Sequence, residues 1–283
     1  MTSVGNEVVI TVLVDNSEHE GLVSEWGLSL HVQTPQTRVL LDFGQSDAFA
    51  RNANTLGIDL ARVDHAVLSH AHYDHANGME AFFACNDHAP LHLSEACDEN
   101  CWSSKGGTTD LHYIGIADGL LKQYERRLVR HALSGPEAVA PGLWLVPHAR
   151  PQTNDTGATT GMYCRVGCCL IQDAFAHELT LVCELPSDGS VVVLSSCSHA
   201  GVAQILQEVS SAFPGRRISA FVGGLHLMRA SDEDVRHVAD AFRMHGVKHI
   251  WCSHCTGARA EELLAQELPG RVGILHPGLA LTL

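Results

Sequence analysis

The stretch SHAHYDHANG, residues 69–78, places His70, His72, Asp74 and His75 within six positions. It follows an apolar run, VDHAVL (63–68), that reads as a buried strand. A sheet gains stability from buried Val and Leu but nothing from a row of imidazoles, so the motif points to a bound metal. Consecutive strand residues face opposite sides, whereas a tight loop beyond the strand can turn several side chains to one point. On that basis His70 and His72 reach one ion, and Asp74 and His75 a second. Imidazole with carboxylate suits zinc, iron or manganese, with zinc the default.

One ion takes about four ligands, so the motif needs donors from elsewhere. Three later strand ends offer them. SSCSHAG (195–201) carries Cys197 and His199, GGLHL (223–227) carries His226, and WCSHCTG (251–257) carries Cys252, His254 and Cys255. Each follows β-branched or aromatic residues and precedes a helix or a glycine turn. That recurrence argues for one shared site.

The H-x-H-x-D-H pattern, with Asp42 and Gly44 in LLDFG (40–44) upstream, resembles the metallo-β-lactamase superfamily. VLVDN (12–16), EWGLSL (25–30), NANTLGIDL (52–60), the SCSHAG turn, GGLHL and HCTG resemble one branch of it. That branch is named for a dihydropterin-ribofuranosyl-aminobenzene 5′-phosphate synthase. The resemblance spans most of the chain except about residues 85–175. It implies an α/β fold, an αββα sandwich of two mixed β-sheets flanked by helices, with metals at one edge of the sheets. It also implies a first ion on His70 and His72, completed by His199, and a second on Asp74 and His75, completed by His254. Where many members carry a bridging aspartate, this chain holds Cys197, which makes the site thiolate-containing or alters occupancy of the second ion.

The bulk properties fit a globular enzyme. The chain has 283 residues, of which 45% are hydrophobic, and a mean hydropathy of +0.03. A formal net charge of −14 argues against nucleic acid as a partner. An anionic small-molecule substrate stays compatible, because a bound dication reverses the local field. The N-terminus lacks the basic and apolar regions of a signal peptide, and no apolar run is long enough for a membrane span. A cytoplasmic protein with reduced thiols is therefore expected.

Strand, ligand-rich turn and helix recur in both halves with no linker between, which predicts one domain over 1–283. Residues 95–140 are polar and glycine-rich, and read as an insertion or lid with helix around 118–131. VGILHPGLALTL (272–283) reads as a final strand. Asp42 is expected to orient a ligand histidine, with Asp15 and Asn16 in similar roles. The adjacent pair Cys168 and Cys169, like Cys97 and Cys101, reads as buried apolar thiol. Cys252 and Cys255 formally fit C-x-x-C, but no second pair at similar spacing accompanies them.

These residues predict a metal-dependent hydrolase acting on an ester, phosphoester or amide-type bond. Asp74 serves as both ligand and proton acceptor, and His226 donates to a developing oxyanion. His226 also reads as a ligand or a packed histidine. A synthase-like condensation, a di-iron redox centre and a non-catalytic metal-binding protein are the competing readings.

Overall fold

A computed structural model describes residues 7–104, 110–132, 134–148 and 161–283. The chain opens with strands β1 (Val9–Val14), β2 (Ser29–Gln33), β3 (Arg38–Leu41), β4 (His65–Val67) and β5 (Leu91–Ser94). Helices α1 (Ala48–Thr55), α2 (Tyr73–Ala76) and α3 (Met79–Cys85) lie between them. Strands β6 (Trp102–Ser104) and β7 (Leu111–Tyr113), helix α4 (Leu120–Gln123), and strands β8 (Leu128–His131), β9 (Glu137–Ala140) and β10 (Leu143–Pro147) follow. Next come β11 (Met162–Val166), β12 (Cys169–Gln172), β13 (Leu179–Glu184) and β14 (Val191–Ser195). The chain ends with α5 (Val202–Ala212), β15 (Ile218–Gly224), α6 (Asp232–Met244), β16 (His249–Ser253), α7 (Ala258–Glu267), β17 (Val272–Ile274) and β18 (Ala280–Thr282).

Two seven-stranded sheets form the body, in the orders β18-β1-β2-β3-β4-β5-β8 and β17-β16-β15-β14-β13-β10-β9. Both are mixed. The hairpin β2–β3 is antiparallel, whereas β3, β4, β5 and β8 run parallel. In the second sheet β13–β14 is antiparallel, and β14 through β17 run parallel. Alternate strand residues, including Ile10, Leu30, Leu41, Val67, Leu181, Val192 and Val222, fill the space between the sheets. The opposite faces are covered by helices. Phe49, Met79 and Phe82 pack on the first sheet, and Ile205, Val235 and Leu264 on the second. The result is the expected αββα sandwich.

Local chemistry explains the helix positions. In α1 the buried residues Ala48, Phe49, Asn52 and Ala53 share one face. Asn52 fastens that face to the sheet, donating to the carbonyls of Leu13 and Val23 at 2.7 Å each and accepting from Val23 N–H at 2.8 Å. Helix α6 starts at a capping box between Ser231 and Asp234. A directional imidazole chain links the two sheets at their far edge. His65 bonds His92 at 3.0 Å, His92 bonds His131 at 2.9 Å, and His131 donates to Glu137 of β9 at 2.7 Å.

Three expectations are corrected. The stretch 118–131 is helical only over Leu120–Gln123, with a 3₁₀ turn at Glu125–Arg127, and then extends as β8 beside β5. Part of the 95–140 segment therefore belongs to the sandwich itself. Its remainder contributes β6 and β7 to a separate four-stranded sheet with β11 and β12; residues 105–109 of the SSKGGTTD stretch lie outside the described residues. The C-terminal stretch is two strands. Pro277 and Gly278, with φ +83°, turn the chain from β17 in the second sheet to β18 in the first. Finally, Cys168 and Cys169 are exposed at the β11–β12 turn, because that sheet stands outside the core.

Candidate metal centre

The site forms where parallel strands of both sheets end. Asp42 follows β3, the His70–His75 loop follows β4, and Cys197 with His199, His226 and His254 follow β14, β15 and β16. Among the described residues, five non-glycine side chains sit on left-handed backbone: Asp42, Phe175, Ser198, His226 and His254. All five border this site. Such backbone is uncommon for non-glycine residues, and its clustering marks a place where side-chain direction outweighs backbone comfort.

Asp74, His75, His254 and Cys197 form one group of donors. His75 Nε2 lies 3.2 Å from His254 Nε2, 3.3 Å from Cys197 Sγ and 3.6 Å from Asp74 Oδ2. His254 Nε2 lies 3.5 Å from the same carboxylate oxygen. Zinc–nitrogen bonds of about 2.0–2.1 Å put tetrahedral ligand atoms about 3.3–3.4 Å apart, so these spacings match a coordination shell. His70, Cys197 and His199 form a second group with donor atoms within 4.8 Å of one another. The ring of His72 stands 4.7 Å from His70 and 4.8 Å from His199.

Surrounding bonds fix which ring nitrogen faces inward. His75 Nδ1–H donates to Asp42 Oδ2 at 2.8 Å, and His254 Nδ1–H donates to Asn16 Oδ1 at 2.9 Å. Ser69 Oγ donates to Asp42 at 2.6 Å and so accepts from His70 Nδ1–H at 2.8 Å. In each case Nε2 keeps a lone pair for the site. The lone pairs of His75 and His254 then face each other, an arrangement that needs a proton or a cation between them. Nε2 of His70, Nε2 of His72 and both ring nitrogens of His199 are buried without a hydrogen-bond partner. A buried imidazole without a partner is costly unless something else uses its lone pair.

The electrostatics point the same way. Burial, reinforced by neighbouring imidazoles, holds His70 and His199 well below the usual histidine range. Burial also lowers His72, and brings His254 to about 3. All four are neutral imidazoles, the form that can donate a lone pair to a cation. His75 behaves oppositely. Burial opposes its charge, but Asp74 and Asp42 outweigh burial and push it up to about 9. Burial raises Asp74 and Cys197. A cation would supply the counter-charge both lack.

Residues that the sequence did not single out hold the frame. Glu178 is fully buried and accepts from the backbone N–H groups of His199 and Ala200 at 2.7 Å each. Phe175 stacks on the His199 ring at 4.3 Å. His177 Nδ1 accepts from Ala71 N–H, between His70 and His72, so its Nε2–H donates to Asp173 at 3.2 Å. That tautomer also keeps the nearby Cys101–Asp173–His177 cluster from serving as a metal site, because His177 has no lone pair to offer there. The C-x-x-C spacing has no joint role: Cys252 lies in the helix-facing core, whereas Cys255 enters the site.

The site opens into a cavity of about 280 Å³. Its floor is His72, Asp74, Cys197, His199, His226 and His254. Trp26, Ile114, Met162 and Met228 supply apolar walls, and Arg229 is the cationic side chain among the lining residues. Ser103 and Ser104 of β6 and Met162 of β11 bring the four-stranded sheet onto one wall. The expected 95–140 segment does shape the cavity, together with residues beyond its predicted limit. His226 sits half-buried on the floor, its ring 4.3 Å from that of His199.

Comparisons with known proteins agree with this geometry. Residues 27–142 match the family model of the metallo-beta-lactamase superfamily. Tm1679, described as a metal-dependent hydrolase of the beta-lactamase superfamily, superposes with a TM-score of 0.82 at 29% identity, covering 97% of this chain and 98% of that one. The chain has the metallo-β-lactamase fold, and its residues 27–142 carry the match to that superfamily. The sequence is 24% identical to the 7,8-dihydropterin-6-methyl-4-(β-D-ribofuranosyl)-aminobenzene-5′-phosphate synthase of Methanocaldococcus jannaschii over 266 residues, 90% of this chain and 89% of that protein. The metallo-β-lactamase fold protein YhfI from Bacillus subtilis shares the fold at a TM-score of 0.58 and 11% identity, covering 98% of this chain and all of that one. Among the described residues no helix is long and apolar enough to cross a membrane.

Proposed function

We propose that this protein is a metal-dependent hydrolase, with zinc as its metal, that cleaves an ester, phosphoester or amide-type bond in a small anionic molecule. The observation that carries the reading is the set of buried imidazole nitrogens on His70, His72 and His199 that lack partners, beside four donors at coordination spacing. His70, His72 and His199 would hold one ion, and Asp74, His75 and His254 a second, with Cys197 in reach of both. Bound zinc acts as a Lewis acid and lowers the pKa of water to about 7.

The chain's own groups supply the rest. Asp74 lines the cavity and takes the proton of the attacking water. His226 faces the same space and donates to the oxygen that gains charge. Arg229 attracts an anionic group at the cavity, and Trp26, Ile114, Met162 and Met228 limit water. Iron or manganese would use the same donors.

The similarity to the M. jannaschii synthase favours a second reading, a condensation at the same site. Turnover of chromogenic phosphodiester, lactone and thioester substrates, lost with chelator and restored by zinc, supports hydrolysis. Failure on every member, with turnover of a pterin and a phosphorylated ribosyl acceptor, would shift the assignment to condensation. His72→Ala should lose metal and activity while keeping the fold, because His72 stands at a loop and not in the core packing.

A further inference from the structure

Two adjacent thiols stand at the tip of the four-stranded sheet, apart from the metal centre. Val166 of β11 pairs with Cys169 of β12, so Gly167 and Cys168 form a two-residue turn. Gly167 has the left-handed backbone, φ +62°, that such a turn demands at its first position. Small polar residues serve at the second position, so the turn itself has no need of cysteine. Cysteine is also among the residue types most often buried, yet Cys168 and Cys169 are both exposed. Their Sγ atoms lie 3.9 Å apart.

The flanking surface is apolar. Register and strand alternation put Val166, Cys169 and Ile171 on one face of the sheet. Val166 is 59% exposed and Ile171 48%. Met162, on the same face four residues earlier in β11, lines the cavity, about 13 Å away along the strand. Cys85, the other exposed thiol among the described residues, is engaged locally and donates to the Phe82 carbonyl at 3.2 Å.

The spacing decides what the pair can hold. Two bonds of about 2.3 Å to one centre, at an angle of about 100–120°, place the sulfurs about 3.5–4.0 Å apart. The observed separation falls inside that range. A disulfide fits less well, because consecutive Cα atoms are only about 3.8 Å apart and a disulfide normally needs about 4.4–6.8 Å. A four-coordinate ion such as zinc also fits less well. Among the described residues no histidine or carboxylate joins the pair to make up its shell.

We propose that Cys168 and Cys169 form a surface binding site for a thiophilic centre that two sulfurs satisfy, either arsenic(III) bearing one organic group or copper(I). Thiolate donors select soft centres of this kind. For the arsenical, two As–OH bonds break and two As–S bonds form. Each thiol proton leaves with a hydroxide as water, and arsenic stays trivalent. For copper(I), both thiols release their protons to solvent and the metal stays monovalent. Val166 and Ile171 give the organic group of an arsenical an apolar surface to lie on. The proposal uses no residue of the metal centre, so it stands or falls apart from the hydrolase reading.

The test uses full-length protein kept reduced with a phosphine. One arm adds phenylarsenous acid and reads the adduct by mass and peptide mapping. The other titrates copper(I) in competition with a chromophoric chelator. In at least one arm, wild type should bind one centre on the peptide that carries Cys168 and Cys169. Cys168→Ser and Cys169→Ser should each weaken that binding by upwards of about 100-fold, because the second bond of a chelate is intramolecular. Cys85→Ser should leave it unchanged. The arm that shows this pattern identifies the ligand class, and far-ultraviolet circular dichroism checks the fold of each variant. Binding unaffected by either serine variant, an adduct mapped to Cys97 and Cys101, or no binding in both arms would overturn the site. A disulfide between Cys168 and Cys169 that forms in air and blocks uptake until it is reduced would overturn it in favour of a redox pair.

Discussion

Asp42→Asn isolates the orienting role of a carboxylate that touches no substrate. Asp42 is fully buried and accepts three hydrogen bonds: from Ser69 N–H at 2.7 Å, Ser69 Oγ at 2.6 Å and His75 Nδ1–H at 2.8 Å. Asparagine fits the same volume and tolerates the φ of +62° at this position. Its carbonyl can keep the bond to Ser69 N–H, but its NH₂ then faces His75 Nδ1–H. One buried donor is left without an acceptor, which costs about 1–3 kcal/mol. The alternative is for His75 to move its proton to Nε2, which removes the lone pair that faces Asp74 and His254. Either route weakens metal binding. Loss of an outer carboxylate typically costs 10–100-fold in affinity, or about 1.4–2.7 kcal/mol, the same range as the unpaired donor. The assay is competition for zinc against a chromophoric chelator, with thermal melts of the metal-free and zinc-loaded forms. A folded Asp42→Asn variant with wild-type affinity for both ions would refute the orienting argument.

Glu178→Ala removes the acceptor for two buried N–H groups in the His199 turn and should destabilise the protein by about 3–5 kcal/mol, seen as a lower urea midpoint. Glu178→Gln keeps one acceptor and should cost about half as much. The His31 side chain is buried in β2 with Nε2 unpartnered, and burial, with Arg38 adding to it, lowers its pKa to about 4. The unfolded chain therefore takes up a proton below pH 6.5 that the folded chain refuses. The stability this residue contributes is present above pH 6.5 and falls as pH drops toward 4, by up to about 3 kcal/mol. His31→Leu should flatten that part of the urea stability–pH profile, and an unchanged slope would contradict the burial argument.

What the sequence revealed depended on how local each signal was. H-x-H-x-D-H runs from the loop after β4 into the first turn of α2, so its clustered candidate donors could be read without the fold. The strand–ligand–helix recurrence correctly grouped Cys197, His199, His226 and His254, because parallel strands deliver their ends to one edge. Asp42 was legible for the same reason. Glu178 was not, because its partners are backbone N–H groups across the β13–β14 hairpin, and no side-chain pattern records them. His177 and Asp173 escaped notice inside a stretch with no recognisable motif. The helix expected over 118–131 failed where pairing of β8 with β5 outweighed local preference. The Pro277–Gly278 pair did carry a turn signal, and it divides the C-terminal stretch between the two sheets.

The most direct measurement is an anomalous-difference map at the zinc edge, from crystals of the full-length protein grown with zinc. The account predicts two peaks about 3.5–4 Å apart, one among His70, His72 and His199 and the other among Asp74, His75 and His254, with Cys197 Sγ between them. Zinc found only at surface histidines, with no density inside the buried cluster, would contradict it.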